Sequence, residues 1–133
     1  MKKIISIILL LTCILCITSC GGDKITPKKA ASFEQICAVL RENAEIYRIC
    51  DEGELKSHVD FFSSENHDYS EEMLAMCYAK MPDGKYIKCI EMVDSTDAEF
   101  FVKSYGKSFT YAFNKGNVAI FGNAPFIEEF KAD

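Results

Sequence analysis

Apolar residues recur along this chain at changing spacings, and each change marks an element. Ile4 to Ile17 is an almost unbroken apolar run. Phe33, Ile36, Cys37, Leu40, Ala44 and Tyr47 then return at helical spacing, with Glu34, Arg41, Glu42, Glu45 and Arg48 on the other sides. That stripe predicts a helix packed on a core. Ser32 and Gln35 form an S-x-x-Q capping box, which satisfies free amides at the helix start. The helix is expected to stop near Cys50, before Gly53. From Asp51 to Glu72 the pattern weakens, and Leu55, Val59 and Phe62 give one face of a short helix.

Beyond Met73 the spacing shortens to that of strands. Met73 to Met81 and Lys85 to Val93 flank Pro82-Asp83-Gly84. Proline sets φ at the first turn position and glycine supplies a positive φ, so the segment predicts a hairpin. A second helix follows from Asp94, with Thr96 and Glu99 as its capping box. Its buried face is Ala98, Phe101, Val102 and Tyr105, and Gly106 is its stop. A second hairpin joins Thr110–Phe113 to Asn117–Phe121 through Asn114-Lys115-Gly116. Asn123 then caps a short helix with Pro125 in its first turn and Phe126, Ile127 and Phe130 facing inward. The order is α-(x)-ββ-α-ββ-α. It predicts an α+β domain with an antiparallel sheet of about four strands, made of two hairpins, and helices on one face. The opposite face is expected to be open.

The apolar run at the amino end changes the picture of where this domain works. A transmembrane helix needs about 20 apolar residues, and this run ends at Thr18 and Ser19. Lys2 and Lys3 precede it, and Ile17-Thr18-Ser19-Cys20-Gly21-Gly22 closes it. That order resembles the lipobox of bacterial lipoproteins. The resemblance implies removal of a signal peptide, residues 1–19, and attachment of lipid to the Cys20 thiol, with fatty acyl chains such as palmitate. It implies a membrane-anchored protein facing outside the cytoplasm, in the inner or outer membrane according to envelope type. Two or three acyl chains give firm anchoring where one is marginal. Residues 20–31 then form the lipidated cysteine and a tether, and 32–133 a single small domain. Lys24, Lys28 and Lys29 would sit near anionic headgroups.

Loss of the leader leaves 13 basic and 20 acidic residues, a net charge of −7. This acidity argues against a nucleic-acid partner, because phosphate binding needs a basic face. Cys13 and Cys16 have redox-motif spacing but lie within the leader. Of the four cysteines beyond Cys20, Cys37 and Cys50 are about 20 Å apart if one helix carries both, too far for a disulfide. A three-residue Pro82-Asp83-Gly84 loop pairs Met81 with Lys85 and brings Cys77 opposite Cys89, a candidate cross-strand disulfide. A two-residue loop would set Cys77 against Ile90. The alternative is a set of small buried side chains.

Asp60, Glu65, His67 and Asp68 suggest a metal site, but no calcium-loop pattern or zinc-type spacing supports one, and a solvated acidic loop is the simpler reading. No cofactor is expected. The chain carries no Gly-x-Ser-x-Gly elbow, phosphate-binding glycine loop or His-Glu-x-x-His motif. No catalytic residue is assigned. Tyr78, Tyr86 and Tyr111, with Tyr69, are candidates for a binding face on the open side of the sheet.

The layout from the capped first helix through Ile90-Glu91 and Asn114-Lys115-Gly116-Asn117-Val118-Ala119-Ile120 to Phe130 resembles a group of small bacterial lipoproteins without assigned function. The resemblance implies a surface-anchored accessory protein and carries over no catalytic residue. The expected function is a non-enzymatic interaction module with an envelope protein partner. The alternative is a ligand-binding or hydrolytic domain acting on cell-envelope or nutrient fragments. A deep pocket near His58 or His67 favours the alternative, and a flat aromatic face favours the module.

Overall fold

The computed structural model describes residues 24–131. The expected signal peptide, residues 1–19, and Cys20 lie outside the described residues. Helix α1 (Phe33–Asn43) starts at the expected capping box: the Ser32 hydroxyl accepts from the Gln35 amide, and the Gln35 side chain accepts from the Ser32 amide. Its apolar stripe buries Phe33, Ile36, Cys37 and Leu40. Removing a side chain such as Leu40 from water contributes about 1.5–3 kcal/mol.

The helix ends sooner than the sequence pattern predicts. Ala44 turns to an extended ψ of 149°, and Ile46–Ile49 forms strand β1. Tyr47 continues the helical stripe of Leu40 and Ala44, but it also suits a strand, and pairing decides the matter. Glu45 N–H donates to the Lys80 carbonyl at 2.8 Å, and Cys50 N–H to that of Met76 at 2.9 Å. The sheet therefore has five strands rather than four.

Asp51 caps α2 (Glu52–Phe62) by accepting from the Glu54 amide. A hairpin of β2 (Met73–Lys80) and β3 (Tyr86–Met92) follows. Its turn is the expected one: Met81 N–H donates to the Lys85 carbonyl at 2.7 Å, and Gly84 takes a φ of +84°. Helix α3 (Ser95–Tyr105) is capped by Asp94, which accepts from the Asp97 amide, not by Thr96. A 3₁₀ turn at Gly106–Ser108 leads to β4 (Tyr111–Lys115), which pairs with β5 (Val118–Gly122) around a turn with Gly116 at +58°. The last element, Pro125–Phe130, is 3₁₀. Asn123 does not cap it; its side-chain oxygen accepts from the Tyr86 amide at 2.8 Å and ties the chain back to β3.

All pairings are antiparallel, in the order β1-β2-β3-β5-β4. The second hairpin joins through its later strand, leaving β4 at the edge.

Helices cover both faces of this sheet, which corrects the expectation of one covered face. Cys77, Ala79, Ile87, Cys89, Val118 and Ile120 point to α1 and the terminal 3₁₀ segment, with Ile127 and Phe130. Met76, Ile90, Met92, Ala119 and Phe121 point the other way, onto Val59 and Phe62 of α2 and Ala98 and Phe101 of α3. A sheet buried on both sides needs apolar residues at successive positions rather than alternate ones, and every residue of β5 is buried. Among the described residues no helix is long and apolar enough to cross a membrane.

Candidate binding cleft

The second face is not covered completely. Helices α2 and α3 meet over its middle, and beyond them the sheet floor is open at Lys88. A cleft of about 670 Å³ results, lined by Ser57, His58, Phe61, Phe62, Lys88, Tyr105, Ser108 and Phe109. Helical spacing explains why α2 supplies two walls. Phe62 is one turn beyond His58 and faces the core, while Phe61 lies beside it at the rim.

Phe62 anchors the arrangement. It is 5% exposed, and its ring packs edge-on against Phe101 and Tyr105, each with centroids 4.9 Å away. The Tyr105 hydroxyl donates to the Phe62 carbonyl, joining the end of α3 to the end of α2. Phe109 packs on Phe121 at 4.6 Å. Phe61, by contrast, is 78% exposed. Leaving so large an apolar surface in water has no structural benefit of its own.

The polar groups are few. The Ser57 hydroxyl donates to the Gly53 carbonyl at 3.1 Å, within its own helix. Desolvation, aided by the charge of Lys88, holds the His58 imidazole below its usual range, against the opposing pull of Glu54. Neutral His58 offers one donor and one acceptor. Lys88 is the only formal cation in the lining, and no carboxylate is present there. Its ammonium lies 5.6 Å from the Tyr86 ring centroid. The neighbouring cation, Arg48, is held by both oxygens of Glu54 at 2.6 Å and lies 5.8 Å from the Tyr78 ring.

The sheet register separates the expected tyrosines. Tyr78 pairs with Lys88, and Tyr86 lies two residues from Lys88 on β3, so both flank the open part of the second face. Tyr111 pairs with Gly122, which pairs with Ile87, and so lies on the first face with α1. Tyr69 is buried, at 1% exposure, between α2 and α3, and its phenol is pushed up to about 12 mainly by desolvation.

The residues considered for a metal do not converge. Asp60 pairs with Lys56 at 2.8 Å, Asp68 accepts from the Ser70 amide, and His67 Nε2 lies 2.8 Å from Glu72 Oε2. The His67 ring is fixed between Tyr69 and Phe100 at 4.4 and 4.6 Å. Among the described residues no group of three or more ligating side chains could hold a metal ion.

Cys77 stands opposite Cys89, the register the three-residue turn requires. The Met81–Lys85 pair is hydrogen-bonded, so the pair four residues on is as well, with Cα atoms about 5.5 Å apart. That spacing is within disulfide range, but all four described cysteines are free thiols. Cys37 comes down from α1 onto Cys77; contact with Cys77 and burial push the Cys37 thiol far above the usual range, while the Cys77 thiol is pulled down by Cys37 but driven far up by contact with Cys89 and burial. Cys50 packs with the opposite core, so the sheet lies between it and Cys37. That separation replaces the long continuous helix, which does not form.

The cleft itself was not legible in the sequence. Phe61 and Phe109 fall outside the apolar stripes, and that mismatch with periodicity was the one available signal. No protein-family model, no curated protein and no solved structure matches this chain.

Proposed function

We propose that this chain is a lipid-tethered binding protein, held outside the cytoplasm through Cys20 and receiving a ligand in the cleft between α2 and α3. The lipobox Ile17-Thr18-Ser19-Cys20 supports the tether. The observation carrying the binding reading is an aromatic cleft around a lone lysine, with an exposed phenylalanine at its rim. Concave, mostly apolar sites with a few placed polar groups are where small ligands bind. The cleft lies beside His58, which favours ligand binding over a flat interaction face.

Two measurements test this. Cells fed radiolabelled palmitate should label the wild-type chain and not Cys20→Ala; equal labelling would remove the tether. A thermal-shift screen of envelope-derived small molecules should yield hits that Phe61→Ser weakens. Hits unaffected by that change would place the site elsewhere.

A second reading has its own observation. Arg48 over Tyr78 and Lys88 over Tyr86 form a cation-and-ring patch beside the cleft, with Ile46 exposed at the strand edge. Such a patch suits a protein partner in the envelope. Crosslinking in intact cells should then capture one dominant partner, lost in Tyr78→Ala.

A further inference from the structure

We infer that the cleft takes a small amphipathic anion, its apolar body lying on Phe61, Tyr105 and Phe109 and its negative group meeting Lys88. This rests on the binding reading above and names the class of ligand.

Charge distribution supports the choice of an anion. Acids outnumber bases in this chain, 20 to 15, yet the cleft lining holds one lysine and no acid. The carboxylate acting on His58 is that of Glu54, and it is engaged with Arg48. No ion pair to Lys88 occurs among the described residues. A cationic ligand would meet repulsion from Lys88 with nothing to offset it.

Position supports it too. Lys88 occupies a central strand, with Tyr78 and Phe121 as its two cross-strand neighbours. The other inward positions of this face, Met76, Ile90, Met92 and Ala119, are apolar and buried. A bound anion would give the Lys88 ammonium a charge-assisted hydrogen bond, roughly twice as strong as a neutral one, beside the aromatic walls of the cleft. Neutral His58 and the Ser108 hydroxyl stand at the same cleft as further donors. The volume, about 670 Å³, exceeds what a bare inorganic anion needs, and the aromatic walls leave the remainder to an apolar body.

The competing explanation is a lysine that lays its stem on Phe121 and carries its charge to solvent. Lys88→Met separates the two, because it keeps the stem and removes the charge. The protein, purified as cells process it and held in lipid nanodiscs, is titrated with 4-phenylbutyrate and with its neutral amide, 4-phenylbutanamide. Saturation-transfer NMR reads binding, with protein-free nanodiscs subtracted. The wild type should prefer the acid by about tenfold, a difference of about 1.4 kcal/mol. Lys88→Met should bind both probes equally, with an unchanged unfolding midpoint, and Phe61→Ser should weaken both.

Equal affinities in the wild type, or an acid preference surviving in Lys88→Met, would overturn the anion and leave the cleft as a binding site. No saturable binding of either probe would remove the anion and the binding reading together.

Discussion

Cys77 and Cys89 face each other across the β2–β3 pair, and Cys37 of α1 closes over them. Three thiols thus share one dry region of the first core; contact with Cys77 and burial push Cys37 far above its usual range, and Cys77 rises far too because contact with Cys89 and burial outweigh the lowering contact with Cys37. The thiolate is the reactive form. In the native protein, maleimide should therefore modify Cys50, which is partly exposed, and spare Cys37, Cys77 and Cys89 until denaturant is added. Mass spectrometry of the alkylated chain reads this directly. A native protein two hydrogens light and blocked only at Cys77 and Cys89 would show the cross-strand disulfide instead.

Gly122 is the tightest point of the sheet. Its φ is +150°, and a Cβ there would sit 2.3 Å from the Tyr86 carbonyl oxygen. Gly122→Ala should cost at least about 2 kcal/mol, since backbone cannot yield as a flexible side chain does. Gly84 also has a positive φ, but its Cβ would meet open space, so Gly84→Ala should cost only about 1 kcal/mol. Urea unfolding midpoints of the two variants provide the comparison, and a larger loss at Gly84 would contradict it.

Phe61 and Phe62 are neighbours in sequence with opposite duties. Truncating Phe62, the hub of the aromatic cluster, should cost about 3–5 kcal/mol. Truncating exposed Phe61 should change stability by less than about 0.5 kcal/mol while weakening whatever the cleft binds. Calorimetric unfolding of the two alanine variants checks the first half, and ligand titration the second. Comparable destabilisation by both would mean Phe61 is structural.

His58 should make stability depend on pH. Desolvation and Lys88 hold its folded pKa below 6.5, so in that region the unfolded chain binds more protons than the folded one. The stability His58 contributes is present above its unfolded value and lost as pH falls through its folded value. His58→Gln should flatten the stability curve in the window below pH 6.5. The unfolding midpoint, measured in steps down from neutral pH, gives the answer; an unchanged slope would show that His58 does not titrate with folding.

Local patterns foretold much of the fold. The Ser32–Gln35 box, the Pro82-Asp83-Gly84 turn and the facing pair Cys77 and Cys89 all occupy the expected positions. Where the reading failed, two patterns shared the same residues. Tyr47 satisfies a helical period and a strand period at once, so only pairing with β2 revealed β1. At the start of α3, Asp94 and Thr96 both suit a cap, and the backbone path selected Asp94.

By itself, the sequence determined the apolar stripes that face the two cores and the turns at Pro82-Asp83-Gly84 and Gly116. Those features depend on neighbours within a few positions, where spacing and backbone preference decide. What the residues are buried against depended on tertiary structure alone. It inserted β5 beside β3, put α1 on one face and α2 with α3 on the other, and sent Tyr111 away from Tyr78 and Tyr86. It also left Lys88 at a cleft beside the joined ends of α2 and α3. Such choices follow from competition among distant apolar surfaces for one sheet, and no local spacing records the outcome of that competition.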